Sequence, residues 1–107
     1  MTQNTPARTQ QPSISVRRLP RTGRELPRWE VLSGDEATGW QVIGWIQEEH
    51  LRGARNPFFF AIGIHPVDHR HYRLEGNIDF DERVNTVADF HLDPNTSRQH
   101  LGLETRH

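Results

Sequence analysis

The chain contains no cysteine and no lysine. Without thiols it has no disulfide frame, no thiolate metal site and no cysteine nucleophile. Apolar residues are scarce, at 33%, and the mean hydropathy is −0.82. Both values are low for a compact globule, so a small core with disordered ends is expected. No apolar run approaches the roughly 18 residues that a membrane helix needs. Residues 1–12 are polar and lack the apolar centre of a signal peptide, which makes the cytoplasm the expected location. There is no Gly-rich phosphate loop, nucleophile elbow, paired-carboxylate frame or internal repeat.

At 107 residues the chain has room for one domain. Its formal charge of −1 hides an asymmetry. Residues 1–28 carry six Arg against Glu25 alone, a net of +5, and the remainder carries seven Arg against 13 acids, a net of −6. Residues 1–27 show neither strand nor helix periodicity and read as a flexible Arg-rich arm. Within that arm, the alternation Ser13-Ile14-Ser15-Val16 has the pattern of an added edge strand.

The densest apolar stretch lies in residues 56–76 and includes three consecutive Phe. Pro57 forbids a helix interior and holds Asn56 extended. Period-two alternation after Pro57 puts Phe58, Phe60, Ile62 and Ile64 on one side and Phe59, Ala61, Gly63 and His65 on the other. Pro66 and Asp68 supply turn chemistry. A second run then places Tyr72 and Leu74 opposite His71, Arg73 and Glu75, so this segment reads as a hairpin.

Upstream, Trp29 and Val31 point inward from a strand over residues 28–33, followed by the turn signal Ser33-Gly34-Asp35-Glu36. Residues 40–47 fit a strand or a helix, and their β-branched and aromatic content favours the strand. That strand puts Trp40, Val42, Gly44 and Ile46 on one face and Ile43 with Trp45 on the other. Residues 79–93 fit a helix with Asp79 as N-cap, Glu82 three residues on, and Pro94 as terminator. Its apolar stripe is Phe80, Val84, Val87, Ala88 and His91, with Phe90 at the edge.

The expected architecture is therefore a small two-layer α+β domain over residues 28–93. It has a three- or four-stranded antiparallel sheet and one C-terminal helix on one face, followed by a polar tail over residues 94–107. One helix covers one side of a sheet. The other side is expected to show Arg28, Trp45, Phe59 and Arg73, a mixture of rings and guanidinium groups suited to a protein interface or to stacking on bases. Arg17, Arg18, Arg21 and Arg24 of the arm extend this candidate partner-binding set.

These readings point to a small non-enzymatic accessory or regulatory binding protein, with no cofactor and a protein partner favoured. A net charge of −6 on the domain repels duplex DNA, so a nucleic-acid-binding module on the same face and arm is the alternative. A homodimer in which Trp45 and Phe59 bury each other is a further expectation. A metal-dependent hydrolase would draw on His65, Asp68, His69 and His71, provided that three of them converge on one ion.

Overall fold

The structure, a computed structural model, describes residues 13–94 and 100–103. Five strands form an antiparallel meander, each pairing with the one before it: β1 (Ser13–Arg18), β2 (Arg28–Asp35), β3 (Gly39–Glu49), β4 (Phe58–Ile64) and β5 (His71–Asn77). Helix α1 (Phe80–Leu92) follows, and a short strand β6 (His100–Leu103) returns to the free edge of β5. The class is the α+β expected, but the sheet is wider than three or four strands. β1 lies within the stretch read as a flexible arm and β6 within the stretch read as a tail. The alternation at residues 13–16 marked β1 as an added edge strand, whereas the four-residue β6 is too short to show periodicity.

Each connection has a local cause. Between β2 and β3, the Asp35 carboxylate accepts from the Thr38 backbone N–H (2.7 Å) and hydroxyl (2.9 Å). Between β4 and β5, His65 Nδ1 accepts from the N–H groups of Val67 (3.1 Å) and Asp68 (3.2 Å), while Asp68 accepts from Arg70 N–H (2.8 Å). The Tyr72 hydroxyl donates to the second Asp68 oxygen at 2.9 Å and closes the turn. The Arg70 bond is the main reason that the Asp68 carboxyl titrates below its ordinary value. The bond to Asp68 raises Tyr72.

Asp79 caps α1 as its residue type predicts, accepting from Glu82 N–H at 3.1 Å. We expect Asp79→Ala to cost about 1 kcal/mol, the usual loss when an N-cap acceptor is removed. An unchanged urea midpoint would show that the bond contributes nothing.

The core lies between α1 and one side of the sheet: Val31, Ile43, Ile46, Ala61, Leu74, Val87 and Phe90, bordered by Trp29, Phe59, Tyr72, Phe80 and Val84. Two expectations about side-chain direction fail here. The first concerns β3. Val31 pairs with Gly44 and Leu32 with Val42, which leaves Ile43 as the extra residue of a β-bulge. The bulge reverses the phase of the strand. Ile43, expected on the open side, is 1% exposed in the core, while Val42 and Trp40 turn to the open side with Leu32 and Gly34.

The second concerns β4, whose two sides are interchanged. Ala61 and Gly63 face the helix opposite Ile46 and Gly44, and Phe59 lies beside them against Phe80. Phe58, Phe60, Ile62 and Ile64 face away. Small residues sit under the helix because α1 approaches there. A Cβ on Gly63 would lie 2.5 Å from Phe90 Cδ2, and one on Gly44 would lie 2.6 Å from Val87 Cγ1. The helix stripe is correspondingly rotated: Arg83, Thr86, Val87 and Phe90 are buried, and His91 is only half-buried. Burial holds the His91 imidazole below its ordinary pKa.

Candidate partner-binding face

Among the described residues, no helix lies on the side of the sheet opposite α1. Register places Arg17, Glu30 and Trp45 across neighbouring strands there, followed by Ile62 and Arg73 on β4 and β5. Arg28 pairs with Gln47, and Gln47 with Phe60, on the same side. Arg28, Trp45 and Arg73 therefore stand on the open face as the alternation predicted. Phe59 does not. It is on the helix side, edge-on to Trp29 (5.9 Å) and Phe80 (5.3 Å), so a homodimer built on Trp45 and Phe59 together would need residues from opposite faces of one sheet.

Phe60 and Phe58 take the place expected for Phe59, with ring centroids 5.0 Å apart. The face is organised as stacks of cation on ring. The Arg73 guanidinium lies 3.9 Å from the centroid of Phe60, and that of Arg28 lies 5.2 Å from Trp45. The His71 ring is 4.7 Å from Trp45. Beneath these groups Ile62 is only 7% exposed. Arg28 Nε is buried and has no hydrogen-bond partner among the described residues; its guanidinium lies over the Trp45 ring and within electrostatic reach of the Glu25 carboxylate.

The arm residues divide. Arg17 is on the open face, where its Nε donates to Glu30 at 3.1 Å and its Nη2 donates to the same oxygen. Arg18 is on the helix side, 5.8 Å from the Trp29 ring. In the β1–β2 loop, Arg21 Nε donates to the Glu25 carbonyl at 2.8 Å and Arg24 is exposed. These four Arg thus share no single surface.

The histidines do not converge either. His65 is on the helix side, 5.9 Å from Phe90, His71 is on the open side, and His69 sits in the turn with φ 62°. Among the described residues, no three His, Asp or Glu side chains are arranged to hold a metal ion. Among the same residues, no helix is long and apolar enough to cross a membrane.

Phe58 and Phe60 were missed because three consecutive Phe read equally well in either phase. The available signal was the pair Ala61 and Gly63, since small residues in a strand mark the side on which another layer comes close. Comparison with protein families, with characterised proteins and with solved structures returns no match to this chain.

Proposed function

We propose that this is a small non-enzymatic binding protein of the cytoplasm, acting as an accessory or regulatory factor, whose open sheet face takes a protein partner. The observation that carries this reading is the paired stacking of Arg28 on Trp45 and Arg73 on Phe60 over a sheet face that no helix covers among the described residues. Trp, Phe and Arg are the residue types that dominate the energetics of protein interfaces. Guanidinium planes laid against rings present flat, largely apolar surface, so the complementary partner surface is apolar at its centre.

The same stacks weigh against nucleic acid. A base needs the open face of a ring, and here guanidiniums already lie over Phe60 and Trp45. Arg17, the obvious phosphate contact from β1, is joined to Glu30. Residues 29–107 also carry the net charge of −6, which repels a phosphate backbone.

The test has two arms. Titration with duplex and single-stranded DNA at roughly 0.15 M salt should show binding weaker even than ordinary non-specific binding, with Kd above about 10⁻⁴ M. Affinity capture from the source cells should retain a protein that Trp45→Ala and Arg73→Glu both lose, while Glu36→Ala in the β2–β3 turn keeps it. Saturable DNA binding whose affinity falls steeply with salt would replace this reading with the nucleic-acid one.

A further inference from the structure

β1 is the unpaired edge of the sheet among the described residues. Its register with β2 runs from Ser13 to Arg18 without a bulge, and all six residues are exposed. Leu19 N–H donates to the Arg28 carbonyl at 2.8 Å. By alternation along an antiparallel ladder, Ser13, Ser15 and Arg17 also turn their backbone groups toward β2. Ile14, Val16 and Arg18 then turn their N–H and C=O groups outward. Edge strands are ordinarily blunted by charged side chains, proline or a bulge; here Pro12 precedes the strand and Arg17 and Arg18 end it, which leaves residues 13–16 as its uncharged, bulge-free part. Ile14 and Val16 are 40% and 37% exposed, on the helix side but at the far edge from β4 and β5, over which α1 mainly packs.

We propose that a second copy of this chain pairs antiparallel with β1 about a two-fold axis through Ser15. The segment Ser13-Ile14-Ser15-Val16-Arg17 is nearly its own complement under that operation, which is what an isologous contact requires. Each Ile14 lies opposite the other copy's Val16, so four apolar side chains close over one another on the helix side. The outward backbone groups of Ile14 and Val16 meet those of the partner in hydrogen-bonded pairs, as the ladder needs. Arg17 lies opposite Ser13, which keeps the two Arg17 side chains apart and each beside its own Glu30. Moving the axis to Val16 would set Ile14 against Arg18 and bring the two Arg17 residues onto a diagonal, so charge selects the Ser15 register. The two open faces then join into one continuous surface. The contact is small, and its Kd is on the order of tens of micromolar.

The absence of cysteine from the sequence makes the register directly measurable in the full chain. In the Ser15 register the two Ser15 residues form a non-hydrogen-bonded pair with Cα atoms about 4.5 Å apart, whereas the two Arg17 residues are separated by roughly 13 Å. A disulfide needs Cα atoms within about 7 Å, so Ser15→Cys should cross-link under mild oxidation at least about tenfold faster than Arg17→Cys. Sedimentation should show a concentration-dependent dimer. Val16→Pro removes only an outward N–H and should give a monomer with an unchanged circular dichroism spectrum. If Val16→Pro unfolds, the ratio of cross-linking rates decides the matter. A monomer at concentrations about ten times the expected Kd, or equal rates for the two cysteine variants, overturns the proposal. So does a dimer that persists in folded Val16→Pro.

Discussion

Gly44→Ala should destabilise the domain by about 3 kcal/mol, at the upper end of the usual cost of overpacking. Elsewhere in a strand, replacing Gly by Ala restricts the unfolded chain and stabilises by up to about 1 kcal/mol. The sign reverses here because of what surrounds the site. Gly44 lies directly opposite Gly63, and the pair forms a notch that admits α1. A Cβ on Gly44 would lie 2.3 Å from the carbonyl oxygen of Ile62 and 2.6 Å from Val87 Cγ1. Val87 can shift with the helix, but the carbonyl belongs to strand β4 and withdraws only if the pairing of β3 with β4 is disturbed. At Gly63 the nearest atoms are side-chain atoms of Phe90 and Leu74, at 2.5 and 3.0 Å. Gly63→Ala should therefore cost less than Gly44→Ala. Urea unfolding of both variants tests the order, and a Gly44→Ala protein as stable as the wild type would contradict the close approach of helix and sheet.

Phe90→Ala should cost about 3–5 kcal/mol, the range for removing a buried aromatic ring. Phe90 is 1% exposed and is the largest fully buried side chain. Its ring is 5.5 Å from Tyr72 and 5.9 Å from His65, and it fills the space that Gly63 leaves empty. On the sheet beneath the ring, Gly63 has no side chain and Ala61 has one methyl group, so refilling the space requires Leu74, Tyr72 or His65 to leave their own positions. Small domains have about 5–15 kcal/mol in total, so the variant should lose a large share of its stability. Chemical denaturation gives the value directly. A loss below about 1 kcal/mol would mean that the helix repacks on the sheet without Phe90, against the usual behaviour of rigid cores.

The two substitutions probe what was hardest to read from residue order. The sequence places Phe90 at the edge of a stripe of Phe80, Val84, Val87, Ala88 and His91, which leaves out Arg83 and Thr86. The buried side in fact includes Arg83 and Thr86. Arg83 donates through Nη1 to the Glu75 carbonyl, and the Thr86 hydroxyl donates to the Glu82 carbonyl at 2.8 Å. Polar residues that find hydrogen bonds can occupy a core-facing stripe, although Arg83 Nε is itself buried without a partner among the described residues, and a count of hydrophobic positions does not include them. Three of the four open-face residues, Arg28, Trp45 and Arg73, were legible from alternation within their own strands. Phe59 was misplaced because its neighbours on both sides are also Phe.

The amino-acid order alone located most of the turns, the helix and the strands from β1 to β5, but not β6. Pro57, Asp68, Asp79 and Pro94 act on their own few residues, through steric exclusion and hydrogen bonds that span at most one turn. Which side of each strand is inside was decided only in three dimensions. The bulge at Ile43 and the notch at Gly44 and Gly63 exist because a helix distant in sequence comes to rest there. At the outer edges the alternation of residues 13–16 marked β1, whereas the pairing of β6 with β5 depends on neighbours that no local pattern specifies. Period two assigns side chains to two faces, and only the element that packs against one of them makes that face the interior.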